Sequence, residues 1–222
     1  MMRTGSLFLL VLSLALAGCG AVPETRSERP RAPGAASAGV IPSIEGQRCL
    51  ADLGEAGARF SLLPDRLSAG GCSTSNTIRL TELEGDAGRF GVTNLPMVAC
   101  PVASGFAAWV RFGVDRAARQ ILGSGLERVE TFGSYSCRNV AGTNRLSAHS
   151  QAQAIDVSAF VLADGRRITV KDGWNATPAE REFLRTVHAS ACKRFGTVLG
   201  PDYNAAHRDH LHLEFGSGSF CR

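Results

Sequence analysis

The chain has 222 residues, 44% of them hydrophobic and 20% charged, with a formal net charge of +4. That length suits one ordinary domain with enough apolar material for a core, which excludes a wholly disordered or collagen-like chain. The balance of 24 basic against 20 acidic residues excludes a dedicated nucleic-acid binder, which would carry a basic stripe.

Arg3 precedes an apolar run from Leu7 to Ala17, interrupted only by Ser13. The run is well short of the ~18 residues that span a bilayer. A basic start, a short apolar core and small residues at its end read as a secretory signal. The end, Leu16-Ala17-Gly18-Cys19, resembles the lipobox of bacterial lipoproteins. The resemblance implies that residues 1–18 are removed and that Cys19 becomes a lipidated first residue. Several acyl chains anchor far better than one, so the protein is expected on a membrane facing an oxidising compartment. Gly20, rather than Asp, after the lipidated Cys implies the periplasmic face of the outer membrane. Residues 19–43 then form a lipidated linker. The stretch from Gly20 to Ser43 holds Pro23, Pro30, Pro33 and Pro42 and no aromatic residue, so it cannot bury a core. Such a linker reaches roughly 25 Å as a coil and roughly 75 Å when extended. The folded domain is assigned to residues 44–222.

Within that domain, residues 46–98 read as short strands and turns, with breaks at Gly70-Gly71 and Gly85-Asp86. Residues 101–122 read as an amphipathic core helix, because Phe106, Trp109, Val110, Val114, Ala117 and Ile121 recur at spacings of three and four. Glu127 to Cys137 is expected to be a strand. Ala154 to Leu162 is a second, joined through an Asp164-Gly165 turn to Arg166–Val170 as a hairpin. Thr177-Pro178-Ala179-Glu180 marks a helix start, with Thr177 as N-cap and Pro178 in the first turn; that helix is expected to run to about Phe195 and end at Gly196. Leu211 to Phe215 is a last short strand. Strands and helices mix without regular alternation, which favours an α+β fold over a parallel sheet.

With Cys19 set aside, Cys49, Cys72, Cys100, Cys137, Cys192 and Cys221 remain. An even set in an exported domain points to disulfides, and the lack of any C-x-x-C pair argues against a cysteine metal site. Pairing neighbours in order gives Cys49–Cys72, Cys100–Cys137 and Cys192–Cys221. The last pair would tie the C-terminal tail to a helix.

The candidate chemistry lies in two histidine-bearing segments. In a strand, residues two apart share a face, so His210, His212 and Glu214 would point one way and Leu211, Leu213 and Phe215 into the core. An H-x-H pair alone is a weak signal, equally compatible with a bare polar strand face. The other segment adds His149 and, within the apolar stretch 154–162, Asp156. A carboxylate buried there needs a partner, and a divalent metal is one. Two imidazoles and one carboxylate make three ligands with a fourth position open, as in a catalytic zinc site. An anionic ligand blunts the acidification of metal-bound water, so a nearby base is wanted. His210, with an ordinary imidazole pKa of about 6.5, suits that task near neutral pH. Asp209 is the rival base, but strand geometry points it away from His212. His188 reads as structural. His207 could support the site or merely cap the strand.

The pattern Ser147-x-His149-x6-Asp156 followed by His210-x-His212 resembles the signature of zinc peptidases related to D-Ala-D-Ala carboxypeptidases and to the hedgehog fold. From about residue 46 to 222 the chain is also similar to the extensin-like C-terminal domain family of bacterial proteins. The segments Gly133-Ser134-Tyr135-Ser136-Cys137-Arg138, Ser147–Asp156 and Phe195–Pro201 leading to His207–Phe215 carry that similarity. The resemblance implies an α+β domain whose small antiparallel sheet carries a zinc site, flanked by helices and held by disulfides. It implies Zn2+ on His149, Asp156 and His212, with His210 as base or transition-state stabiliser. Arg138 would contact a substrate carbonyl or carboxylate, and Ser147 would touch substrate or support a ligand. The peptidase pattern has Gly where Ala152 stands, and Ala fits there if its φ is negative. The activity implied is hydrolysis of an amide bond in peptidoglycan stem peptides, by carboxypeptidase or endopeptidase action. A module that keeps the zinc and only binds or scaffolds the cell wall is the other reading.

Overall fold

Ser43 opens the first helix in the computed structural model, which describes residues 42–222. The signal segment, Cys19 and the linker up to residue 41 lie outside the described residues. The Ser43 hydroxyl accepts the Gly46 N–H at 3.1 Å, and α1 runs Ile44–Glu55. The expectation of strands and turns from residue 46 is corrected here. Cys49, Leu50 and Leu53 form a short helical stripe that packs into the core, while Gly46 and Gly54 weaken the helical signal in the sequence.

The next helix, α2, runs Cys100–Trp109 with Pro101 in its first turn, then continues through wider π-type turns at Val110–Asp115 and Ala118–Leu122. Gly123, at φ 72°, ends it. Asp115 is fully buried at this end. Its carboxylate accepts the Leu126 N–H at 2.9 Å and the Arg119 Nε–H at 3.0 Å, which ties the helix to the strand that follows. Two further helices are α3, Val170–Gly173, and α4, Pro178–Ala191. Thr177 and Glu180 form a reciprocal capping box at the start of α4. Among the described residues, no helix is long and apolar enough to cross a membrane.

The strands are β1 Arg59–Leu62, β2 Thr77–Glu84, β3 Arg89–Thr93, β4 Val98–Ala99, β5 Leu126–Gly133, β6 Ala154–Leu162, β7 Arg167–Thr169, β8 Thr197–Leu199, β9 Leu211–Glu214 and β10 Phe220–Cys221. Among the described residues they form one sheet in the order β1-β2-β3-β5-β6-β9-β8-β10, with β4 beside β2 and β7 beside β6. The fold is α+β, but the sheet is large and mixed rather than small and antiparallel. β3 pairs β5 in parallel, and β10 pairs β8 in parallel. A parallel pair needs a long crossover, and α2 with its π-type continuation supplies the one from β3 to β5.

The core is aromatic where helices meet sheet. Trp109 lies against Phe106, Phe160 and Phe195, and its indole N–H donates to the Val187 carbonyl at 3.0 Å. β6 runs through the middle of the sheet with every residue but Asp156 buried. β5 and β9 flank it in the sheet.

All six cysteines among the described residues are in disulfides, but two of the three expected pairings are wrong. The bonds are Cys49–Cys100, Cys72–Cys137 and Cys192–Cys221. Once residues 44–55 are helical, α1 packs on α2 and brings Cys49 to the first residue of α2. Cys72 is then left for Cys137. A further correction concerns Phe215, which is 47% exposed rather than in the core. β9 ends at Glu214, and the Phe215 N–H turns to the Gln153 carbonyl at 3.0 Å.

Candidate metal centre

His212 is the ladder partner of Asp156 across β6 and β9, so strand pairing alone sets their side chains together. His149 comes from elsewhere, a single 3-10 turn over Ala148–Gln151 that leads into β6. Ser147 starts this turn, its hydroxyl oxygen accepting the His149 N–H at 3.4 Å. Ala152 closes it at φ 56°, ψ 30°, in the left-handed region. The condition under which alanine fits there without strain, a negative φ, is therefore not met. The Ala152 N–H donates to the His149 carbonyl at 3.1 Å, and its carbonyl accepts the Ala99 N–H at 2.9 Å. These bonds hold a conformation that costs an L-residue roughly 1–2 kcal/mol.

The three side chains converge. His149 Nε2 lies 3.2 Å from His212 Nδ1 and 3.3 Å from Asp156 Oδ2. His212 Nδ1 lies 3.0 Å from Asp156 Oδ1. Each imidazole is fixed from behind by an acceptor on its other nitrogen. His149 Nδ1 is 2.6 Å from the Ser134 carbonyl, and His212 Nε2 is 3.4 Å from Glu214 Oε2. With an acceptor behind each ring, a cation can take the place of the protons that face Asp156 and be bound through the inner nitrogens.

Charge follows this geometry. Burial works against the Asp156 carboxylate, but hydrogen bonds from His149 and His212 outweigh it and hold its pKa well below the usual range. Burial also opposes charge on His212, and its hydrogen bonds to Asp156 and Glu214 win, raising it to about 9. Glu214 is held down by its hydrogen bond to His212. His207 goes the other way. Burial, and then the charges of His210 and His212, push it down to about 4.

His210 stands just before β9. Its Nε2 is 3.5 Å from Asp156 Oδ1, and its Nδ1 is 2.9 Å from Asp209 Oδ1. Asp209 therefore sits against the ring nitrogen of His210 opposite the one that faces Asp156. The ring of Phe132, 56% exposed, lies edge-on to His210 with centroids 5.8 Å apart. His207 sits over the same group and donates from Nδ1 to Asn204 Oδ1 at 2.7 Å.

Above these residues opens a cavity of about 430 Å³, lined by Asp156, His210 and His212 at its base and by Arg138, Ser147 and His207 among its walls. Glu214, which the strand pattern set on the face of His212, also lines it, and so does Arg145, which the sequence pattern did not single out. Outside the cavity lining, Trp174, Arg185 and Asp202 form a cluster of their own. The Trp174 N–H donates to Asp202 at 2.8 Å and the Arg185 guanidinium stacks on Trp174 while pairing with Asp202. His188 is structural, with Nε2 3.1 Å from the Arg222 carbonyl. It lies near Cys192 and Cys221, but both sulfurs are spent in their disulfide, so this second cluster offers no metal site.

Comparison with protein families gives a match to the family described as extensin-like protein C-terminus, over residues 47–222. No curated protein and no solved structure matches the chain.

Proposed function

The chain belongs to the extensin-like protein C-terminus family, and from that premise we propose that it is a zinc-dependent peptidase of the cell wall, hydrolysing an amide bond in peptidoglycan stem peptides. The observation that carries the reading is the spacing of three donor atoms. His149 Nε2, His212 Nδ1 and the Asp156 carboxylate stand 3.0–3.3 Å apart. Ligands about 2.0 Å from a tetrahedral zinc are separated by about 3.3 Å, and two imidazoles with one carboxylate are a donor set zinc accepts. The acceptors behind both imidazoles support the same fit. Three protein ligands would leave a fourth position for water or substrate.

A bound zinc ion supplies Lewis acidity, which polarises a carbonyl and makes a water molecule a stronger acid. The chain's own residues supply the rest. His210, held by Asp209 at Nδ1, offers Nε2 to take a proton from the attacking water and return it to the leaving amine. Arg138 stands on the wall as a donor for charge developing on the carbonyl oxygen. Ser147 holds the His149 turn and borders the substrate space.

The lipobox-like Leu16–Cys19 and the proline-bearing linker support an envelope lipoprotein whose domain reaches the wall from the periplasmic face of the outer membrane. The test is incubation of zinc-loaded protein with defined muropeptides, followed by mass analysis. Cleavage of one amide bond, lost in His210→Ala with zinc retained, is the expected result. Muropeptides left intact by zinc-loaded wild type, with sacculi still bound, would establish a non-catalytic wall-binding module instead.

A further inference from the structure

A second cavity, of about 370 Å³, is lined by Phe132, Gly133 and Ser134 at the end of β5. The same three residues touch the metal centre. The Ser134 carbonyl lies 2.6 Å from His149 Nδ1, Gly133 is the ladder partner of Asp156, and the Phe132 ring lies edge-on to His210. The end of β5 therefore borders both the centre and this cavity. β5 slips register against β6 between Glu130 and Thr131 and again between Thr131 and Gly133. Irregularities of this kind re-aim a side chain, and Phe132 stands 56% exposed on an interior strand. The wall is fixed by a reciprocal pair. The Thr131 hydroxyl donates to the Asn94 carbonyl at 3.0 Å, and the Asn94 amide donates to the Thr131 carbonyl at 2.9 Å.

The chemistry of the lining is cationic. Arg66, just after β1, and Arg79, on β2, line the cavity, and no carboxylate does. Both side chains are exposed, and among the described residues neither has a hydrogen bond or an ion pair. The neighbouring acids of β2 are already committed, Glu82 to Arg59 and Arg89, and Glu84 to Arg89. Ser134 is 3% exposed, and its buried hydroxyl has no hydrogen-bond partner among the described residues. Such a group is rare in a folded chain and marks a place where a partner is wanted. Two free guanidinium groups beside the apolar surface of Phe132 and Met97 suit a carboxylate carried on a peptide.

We propose that this second cavity is a subsite for an acidic side group, carried by a peptide that passes over Phe132 from the metal centre. Arg66 and Arg79 bind the acid, and Phe132 packs against the chain that joins it to the scissile bond. The substrate is then an acidic peptide segment long enough to occupy both cavities. This inference rests on the peptidase reading above and adds the substrate class to it.

The test separates the two. Zinc-loaded His210→Ala protein is titrated by calorimetry with two synthetic stem peptides, both ending in a carboxamide. One has its internal glutamate carboxylate free, and the other has that group as the amide. The acid should bind roughly tenfold or more tightly, the scale of a hydrogen bond to a charged group. Adding Arg66→Gln with Arg79→Gln should remove most of that preference, and the corresponding pair of lysine substitutions should restore part of it. Arg145→Gln, on the wall of the other cavity, should leave the preference intact. Zinc content and melting temperature should stay unchanged, because both arginines are exposed and unpaired. Equal binding of acid and amide, a preference that survives the double glutamine variant, or one that is lost in Arg145→Gln overturns the subsite. Cleavage of muropeptides by wild type in that case leaves the peptidase reading standing. A preference that follows Arg66 and Arg79 in a protein whose wild type cuts no muropeptide keeps the subsite and removes the peptidase. If neither peptide binds and wild type cuts nothing, both fall together.

Discussion

Asp156 and His212 are 56 residues apart in sequence yet directly opposed in the β6–β9 ladder, with Nδ1 and Oδ1 3.0 Å apart. Their separation is a property of strand pairing, not of a side-chain search, so the fold itself holds these donor atoms together. Replacing a donor should therefore abolish binding without unfolding the sheet. His149→Ala, Asp156→Asn and His212→Ala should each lose about one zinc per chain, read by metal analysis after dialysis. Glu214→Gln should keep the fold and weaken zinc roughly 10–100-fold, because it loosens only the ring behind the ligand. An unchanged affinity in Glu214→Gln would remove that supporting role.

The metal-free protein should depend on pH in a defined sense. His212 titrates at about 9 in the fold, above the ~6.5 of an unfolded histidine. The folded state binds this proton more tightly. Its contribution is then fully present below about pH 6.5 and is lost as pH rises through about 9. Asp156 has the opposite sign. Its depressed pKa stabilises the fold above about pH 4, and that contribution is lost as pH falls. Chelator-treated protein should lose melting temperature between about pH 6.5 and 9, and zinc should oppose the loss by taking the proton's place. A melting temperature that climbs over that interval in chelator would contradict the pairing of His212 with Asp156.

Where sequence and structure agree, the signal was local. The apolar run Ala154–Leu162 coincides with β6, the Asp164-Gly165 turn joins it to β7, and Thr177 with Glu180 caps α4. Each is written in residues a few positions apart. The differences involve weak local signals or distant partners. α1 was hidden by two glycines, and with it went the Cys49–Cys100 bond. The parallel β3–β5 pairing depends on how α2 crosses the sheet, which no local pattern encodes. At the site, the histidines and Asp156 stood out by residue type. Arg145 did not, because an exposed arginine in a loop is ordinary until the Asn139–Leu146 bridge folds residues 138–147 into a hairpin whose Arg138 and Arg145 line the cavity.

His210 and Asp209 should separate chemistry from metal binding. His210→Ala should lower hydrolysis by about 10²–10⁴-fold, the range for a positioned acid–base group. Asp209→Asn keeps a hydrogen bond to Nδ1 but removes its charge, so a smaller loss is expected, about tenfold. Both should retain zinc. Loss of metal in Asp209→Asn would mean that the residue supports the centre rather than the base.

The Cys72–Cys137 bond holds the hairpin that carries Arg138 and Arg145, while Cys49–Cys100 joins two helices away from the site. Both cross-links restrain the unfolded chain and should contribute about 2–4 kcal/mol. Only the first should matter to substrate. The Cys72→Ser/Cys137→Ser double variant should lose peptide affinity with zinc retained, and the Cys49→Ser/Cys100→Ser pair should lose stability alone. Equal effects on peptide binding would show that the hairpin keeps its shape without its anchor.

Ala152 tests whether the turn that carries His149 is under strain. Its methyl is buried in a left-handed conformation at φ 56°. Glycine would relieve roughly 1–2 kcal/mol of backbone strain, but it would widen the unfolded ensemble at a cost of about 0.4–1 kcal/mol and leave a methyl-sized gap. These terms nearly cancel, so Ala152→Gly should lie within about 1 kcal/mol of wild type in denaturant unfolding and keep its zinc. Ala152→Val has no such balance. A β-branched residue is a genuine outlier at positive φ, and the shift it forces passes through the 3.1 Å bond from the residue 152 N–H to the His149 carbonyl. The valine variant should lose more than about 2 kcal/mol and should bind zinc more weakly as well, because His149 moves with the turn. A valine variant with wild-type stability and zinc affinity would show that the turn has room the hydrogen bonds do not suggest.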